Sequence, residues 1–203
     1  LLRKKKMNNL LDLTFKRKIN CSAEVAWWNY WDQEHVDVIH SGYKETDILY
    51  ESKNFAFMVS KIKIPLIPFL TSANTPLLMV QHDDKTQYTF AIQFGVLSKT
   101  TITINPIERS KCKINMNYKF YLNGWRIILK PLLKKLIPIW NEKVWIQDYP
   151  IKMRRQKVID MNFKDFHGLP QNIHERKYDG PINFKLPIPR PKNSKRDLHP
   201  LKK

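Results

Sequence analysis

The sequence predicts one α+β domain: an antiparallel sheet of about seven strands, a short helical pair near its start and a long C-terminal helix. Three observations point there. Residues 88–94 and 114–122 alternate apolar and polar side chains, the period of strands with one greasy and one wet face. A helix-like stretch follows the first strand-like segment, opened by a capping serine. After Gly124 the pattern turns helical and stays so to about Asp160. At 203 residues, 42% of them hydrophobic and 12% aromatic, the chain can bury a core without disulfides or a structural metal.

Residues 11–20 alternate as a first strand. Ser22 is placed to cap a helix whose apolar positions are Ala, Val and Trp, and which runs on through 32–41 until Gly42 closes it. Strands are expected over about 43–51, 54–64, 76–82, 87–95, 99–107 and 111–122, with turns at 82–87 and 107–112. Ile114, Met116, Tyr118, Phe120 and Leu122 share one face of the last strand. Tyr88, Phe90, Ile92 and Phe94 share one face of an earlier strand, against Thr89, Ala91 and Gln93. Pro131 and Pro138 suit the first turn of a helix, not its interior, so the long helix proper is expected from near Pro138 to near Asp160, with Pro150 kinking or dividing it. Residues 1–9 read as a basic extension, 10–169 as the domain and 170–203 as a tail. From Pro181 that tail holds five prolines and seven basic residues.

The net charge of +18 is concentrated. Residues 1–18, 124–160 and 181–203 each carry a net +6, while 19–123 and 161–180 are balanced. Nucleic acid is disfavoured as the partner, because no helix-turn-helix, zinc finger or RNP-type strand accompanies the charge. An anionic membrane surface suits the basic segments, as does plain solubility. Cys21 and Cys112 form no CxxC pair, which fits a reducing compartment. No apolar run is long enough to span a bilayer, and 1–15 lacks the apolar core of a signal peptide. A cytoplasmic protein, peripheral to a membrane through its basic segments, is the expectation. The chain begins at Leu1, so a longer chain and a start at Met7 are both open.

The element order is similar to that of the helix-grip fold of the START (SRPBCC) superfamily, over about residues 10–165. The resemblance implies a curved antiparallel sheet of about seven strands wrapping the long C-terminal helix around an apolar cavity. Phe90, Ile92, Phe94, Met116, Tyr118, Phe120 and Trp145 would line that cavity.

The densest cluster of chemistry-bearing residues is Asn29, Asp32, His35 and His40. Two imidazoles and one carboxylate can hold a non-haem iron. His35 and His40 are five residues apart, about 140° from facing the same way on a straight helix, so a shared ligand requires the helix to bend or end between them. Asp32 can share the face of His35 as a partner for its ring. This N-x2-D-x2-H-x4-H run resembles the mononuclear iron motif of Rieske non-haem iron oxygenases, whose catalytic domain has the same fold. The resemblance implies His35, His40 and Asp148, 108 residues after His40, as ligands of a mononuclear Fe(II), with Asp32 as bridging acid and Asn29 as a polar neighbour. The chain departs from that family in one respect. Neither cysteine belongs to a C-x-H or C-x2-H pattern, so no [2Fe–2S] cluster can be built in it, and an oxygenase would need electrons from a separate protein.

Two functions of different class follow. One is a START-like binder of a hydrophobic small molecule or lipid in an internal cavity. The other is the catalytic component of an Fe(II) oxygenase acting on a hydrophobic or aromatic substrate. Whether the protein is an enzyme stays open at this point. The alternative for the polar cluster is a hydrogen-bonded His35–His40 pair bridged by Asp32 and Asp148. Asp148 could equally be a surface partner of Lys152 or Arg154.

Overall fold

The first strand pairs with the last. In the structure, a computed structural model describing residues 10–33, 35–52, 54–63 and 72–161, β1 (Leu10–Ile19) lies antiparallel to β7 (Lys111–Tyr121). Between them come α1 (Ala23–Trp31), α2 (Val36–Ile39), β2 (Tyr43–Glu51), β3 (Phe55–Lys63), β4 (Ser72–Gln81), β5 (Thr86–Gln93) and β6 (Val96–Glu108). A 3-10 turn (Gly124–Leu129) then leads into α3 (Lys130–Asp160). The seven strands form one sheet in the order β1-β7-β6-β5-β4-β3-β2, every pair antiparallel. The expected extension 1–9 and tail 170–203 lie outside the described residues.

One face of this sheet is covered by α1 and α3. Ile102, Ile104, Ile114, Met116 and Tyr118 of β6 and β7 bury against Val25, Ala26, Trp27 and Trp28 of α1, and Ile137, Trp140, Trp145 and Met153 of α3 close over them. Burying one such side chain contributes roughly 1.5–3 kcal/mol, which is why the sheet and helices form together. The alternation expected for 114–122 is thus the inner face of β7.

The face assignment of β5 is the reverse of the expected one. Gln87 stands opposite Ile102 and Ala91 opposite Ser98, so Gln87, Thr89 and Ala91 share the inner face with Ile102. Phe90 and Ile92 lie on the outer face, and Ile92 is 52% exposed. Phe94 leaves the strand altogether: with Gly95 it forms the β5–β6 turn, at φ values of 52° and 70°. Two consecutive positive φ values are what a tight hairpin needs to match strand twist. That turn fixes the register, and a one-residue slip would swap the faces. Phe90, Ile92 and Phe94 therefore do not line the interior.

The helices also differ from expectation. The first helix stops at Trp31 and resumes for one turn at Val36 rather than running through to Gly42. Helix α3 begins at Lys130, a full turn and more before Pro138. Pro131 occupies its first turn, where a missing N–H costs nothing, while Pro138 and Pro150 sit inside. The apolar side chains that α3 presents to the core hold it through both interruptions. The β-sheet faces can be checked directly. Ile102→Ala, on the inner face, should lower the denaturant-unfolding free energy by about 2–5 kcal/mol, whereas Phe90→Thr, on the outer face, should shift it by less than about 1 kcal/mol.

Candidate functional site

The break between α1 and α2 builds the site. Ser22 caps α1 by accepting from the Val25 amide at 3.2 Å, and its own amide donates to Gln156 Oε1 of α3 at 2.7 Å. The helix ends where the Asp32 amide bonds Trp28 O. His35 then stands at the N-terminal end of the four-residue α2 and His40 at its C-terminal end. Their rings lie 5.4 Å apart at 62°. A straight helix would have turned them apart; here α2 ends after one turn and His40 takes an extended backbone, which lets both reach α3.

There they meet Asp148. Its Oδ1 lies 3.1 Å from His40 Nε2 and 3.4 Å from His35 Nε2, and all three residues are buried, at 5% exposure or less. Its Oδ2 accepts from the Nζ of Lys152, fully buried one helical turn on, at 2.9 Å. The expected surface ion pair of Asp148 with Lys152 is real but buried. The ammonium also lies 4.3 Å from the Tyr30 ring centroid and 5.4 Å from that of Trp145, whose quadrupoles favour the cation. Burial by itself would raise the Asp148 carboxyl; Lys152, then His35 and His40, outweigh it and hold the carboxyl well below its ordinary range. Burial draws Lys152 downward against the pull of Asp148. At 2.9 Å, with aromatic faces on the other sides, we read the pair as ionised. Tyr43, 6.0 Å from the His40 ring, is pushed up to about 12 by burial and then by Asp148.

The orientation of His40 bears on what sits between these groups. Its Nδ1 is 3.1 Å from Gln147 Oε1, and Gln147 Nε2 donates to Ser41 Oγ. With its amide oxygen as acceptor, Gln147 fixes the His40 ring so that Nε2 faces the Asp148 oxygen. Ligands 2.0–2.2 Å from a small divalent cation are separated by roughly 3.0–3.4 Å, and the two measured edges fall in that span. The three ligand atoms lie within 4.8 Å of one another. The donor set thus fits a cation held by two imidazoles and one monodentate carboxylate, with Gln147 orienting His40 from behind. Lys152 occupies the other carboxylate oxygen, so bidentate binding is closed.

Other expected residues fall nearby. Asn29 is 1% exposed and, among the described residues, neither its amide oxygen nor its nitrogen has a hydrogen-bond partner. Asp32 is buried at the end of α1 but is not in the three-residue cluster. Met116 and Tyr118 are buried on the inner face, with Phe120 and Trp145 packed against the same core. Sequence reasoning missed the polar character of that interior. Thr46, Ser60, Thr75 and Gln87 are all buried at 1% exposure or less, and Gln87 donates to Tyr30 O at 3.3 Å while its own oxygen has no partner. It missed the cysteines too. Cys21 and Cys112 are both free and buried, and the Cys21 thiol bonds Cys112, which raises Cys21 and lowers Cys112. The pairing of Ile19 with Cys112 brings them together, a relation that a separation of 91 residues conceals. An open groove of about 610 Å³ runs along α3, lined by Pro138, Ile139, Glu142, Lys143, Ile146 and Gln147. Gln147 therefore links that groove to His40.

No family model matches the chain, and no curated protein does. Solved structures do. The Zhui aromatase/cyclase from Streptomyces sp. R1128 superposes with a TM-score of 0.63 at 7% identity, over 72% of this chain and 95% of that one. Human STARD10 gives 0.56 at 14% identity, over 78% and 71%, and norcoclaurine synthase from Thalictrum flavum gives 0.54 at 13%, over 72% and 96%. The chain has the START-like helix-grip fold. The likeness is one of architecture: a curved antiparallel sheet of seven strands and a long C-terminal helix.

Ionisation of Asp148 ties this site to stability. A carboxyl held below its unfolded value of about 3.9 contributes its stabilisation in full above that value and loses it as pH falls through the folded value. Urea titrations between pH 7 and 3 should therefore show a loss of stability on acidification that is smaller in Asp148→Asn. At pH 7, Lys152→Met, which strands the carboxylate, should cost about 3–5 kcal/mol, and adding Asp148→Asn should recover part of it.

Proposed function

We propose that the protein binds a hydrophobic small molecule or lipid between its sheet and α3, with the polar end of that ligand turned toward the His35–His40–Asp148 cluster. One observation supports this reading above the others: the interior holds buried polar atoms that no described protein group satisfies, on Asn29 of α1, Thr75 of β4 and Gln87 of β5, beside the buried Met58, Met79 and Met116. Unpaired buried polar atoms cost roughly 1–3 kcal/mol each, and a ligand or ordered water offering partners offsets that. Among solved structures of similar fold, norcoclaurine synthase from Thalictrum flavum is seen in complex with dopamine and hydroxybenzaldehyde. Affinity would come mainly from apolar area, at about 25 cal/mol per Å², and orientation from the polar groups.

A second reading is favoured by the convergence of three ligand atoms. His35, His40 and Asp148 would hold a mononuclear divalent ion such as Fe(II), with Asp32 and Asn29 as polar neighbours. When bound, such an ion supplies a Lewis-acidic centre with open positions, the basis of oxygenase chemistry. This chain's own part is to hold His40 by Gln147, restrict Asp148 to one oxygen through Lys152, and surround the cluster with Tyr30, Tyr43 and Trp145. The oxygenase form of the reading needs a separate electron-donor protein.

Two measurements separate them. Native mass spectrometry of the purified chain should show a co-purified hydrophobic ligand. Ala91→Trp, which fills the inner face, should cut its retention tenfold or more, while Phe90→Trp, on the outer face, should not. Equal retention in both variants would sink the binding site as placed. Metal analysis after anaerobic Fe(II) reconstitution should give about one ion per chain in the parent and none in His40→Ala; a parent that stays metal-free removes the iron reading and leaves the binder.

A further inference from the structure

Some of the apolar residues that the fold leaves outside gather at one end of the sheet. Across the outer face of the sheet, Ile92 pairs with Leu97 and Leu97 with Tyr121, a stripe over β5, β6 and β7. They are 52%, 40% and 39% exposed. The stripe lies at the end of the sheet where the β5–β6 turn carries Phe94, 47% exposed, and where β7 passes into the 3-10 turn carrying Trp125 and Ile128, 63% and 72% exposed. These elements are tied together: Arg126 Nε donates to Phe94 O at 3.0 Å, and its guanidinium lies 5.3 Å from the Trp125 ring centroid. Six large apolar side chains thus form one exposed end of the molecule. A patch of that kind on an isolated protein marks a surface that meets something else.

Its occupant is indicated by charge. Two residues behind the stripe, on the same outer face, Lys99 and Lys119 stand opposite each other. Lys99 Nζ is 3.6 Å from the Tyr88 ring centroid, and Lys119 is 3.7 Å from Asp12. Further along the chain, Arg126 stands in the 3-10 turn and the exposed Lys134 and Lys135 in the first turns of α3. Two strand residues span about 7 Å, and apolar faces of interfacial elements sink about 5–10 Å into the headgroup boundary. Apolar side chains first, bases one such depth behind, is the arrangement for an anionic bilayer surface. A second copy of the chain would set the same bases against themselves. We propose that this end, formed by the β5–β6 turn, the end of β7 and the 3-10 turn, docks the protein on acidic phospholipid. The site is distinct from the interior and needs no ligand there.

The test uses the full chain and vesicles of phosphatidylcholine with about one third phosphatidylserine. The parent should sediment with them, much less with phosphatidylcholine alone, and detach at high salt. Brominated lipid should quench tryptophan fluorescence, and Trp125→Phe should abolish that quenching. Phe94→Asn combined with Trp125→Ser should weaken binding tenfold or more; asparagine tolerates the positive φ at 94, and an unchanged melting temperature would verify the fold. A double variant that binds as tightly as the parent would overturn the proposal in favour of the basic termini, and a parent that binds no vesicles would overturn it in favour of a protein partner. Ligand retention in the double variant, read by mass spectrometry, keeps this outcome separate from that of the interior site.

Discussion

A carboxylate buried to 3% exposure in the middle of a long helix has to be answered by positive charge, and most of the site follows from how Asp148 is answered. Lys152 comes from the same helix, one turn on; His35 and His40 come from the far side, across the gap between α1 and α2. An uncompensated charge in such surroundings costs several kcal/mol. The cluster therefore fixes the rotation of α3 about its axis and the position of α2 against it. With Asp148 and Lys152 turned inward, Ile139 and Ile146 are turned outward, at 67% and 62% exposure, which is why the groove on α3 is apolar.

The same arrangement makes the interior more polar than a simple greasy pocket. Asn141 donates to Tyr118 Oη at 2.9 Å, Thr46 and Ser60 share a hydrogen bond across β2 and β3, and Gln156 of α3 receives the amide that opens α1. These bonds join helix to sheet and helix to helix in a directional way, whereas Met58, Met79 and Met116 adapt their shape around them. An interior so composed combines adaptable apolar area with a few directional polar atoms. The compact cluster at its edge has the donors of a cation site and, in Lys152, a cation of its own, so the charge balance there differs from that of three ligands alone.

Much of the site was legible in the chain. His35, His40 and Asp148 stand out because imidazole, imidazole and carboxylate at those spacings have few common uses, and the requirement that the helix end between the histidines is met where α2 stops at Ile39 and His40 takes an extended backbone. Lys152 was legible only as a helical neighbour of Asp148. Spacing of i, i+4 is the same on a wet face and a dry one, so it cannot say that the pair is buried. The paired thiols of Cys21 and Cys112 were invisible for a related reason: cross-strand register, not sequence separation, sets their distance.

By itself the sequence determined the order and kind of the elements, since period-two and helical patterning follow from local geometry. It also determined where the charge accumulates, since that needs only counting. What the tertiary structure alone decided is which side of each element faces in. The alternation in β5 distinguishes two faces but not their destinations. The Phe94–Gly95 turn and the pairing with β6 put Gln87, Thr89 and Ala91 inside and send Phe90 and Ile92 out. A strand's inner face is set by its neighbours' register, and that information is spread over residues far apart in the chain.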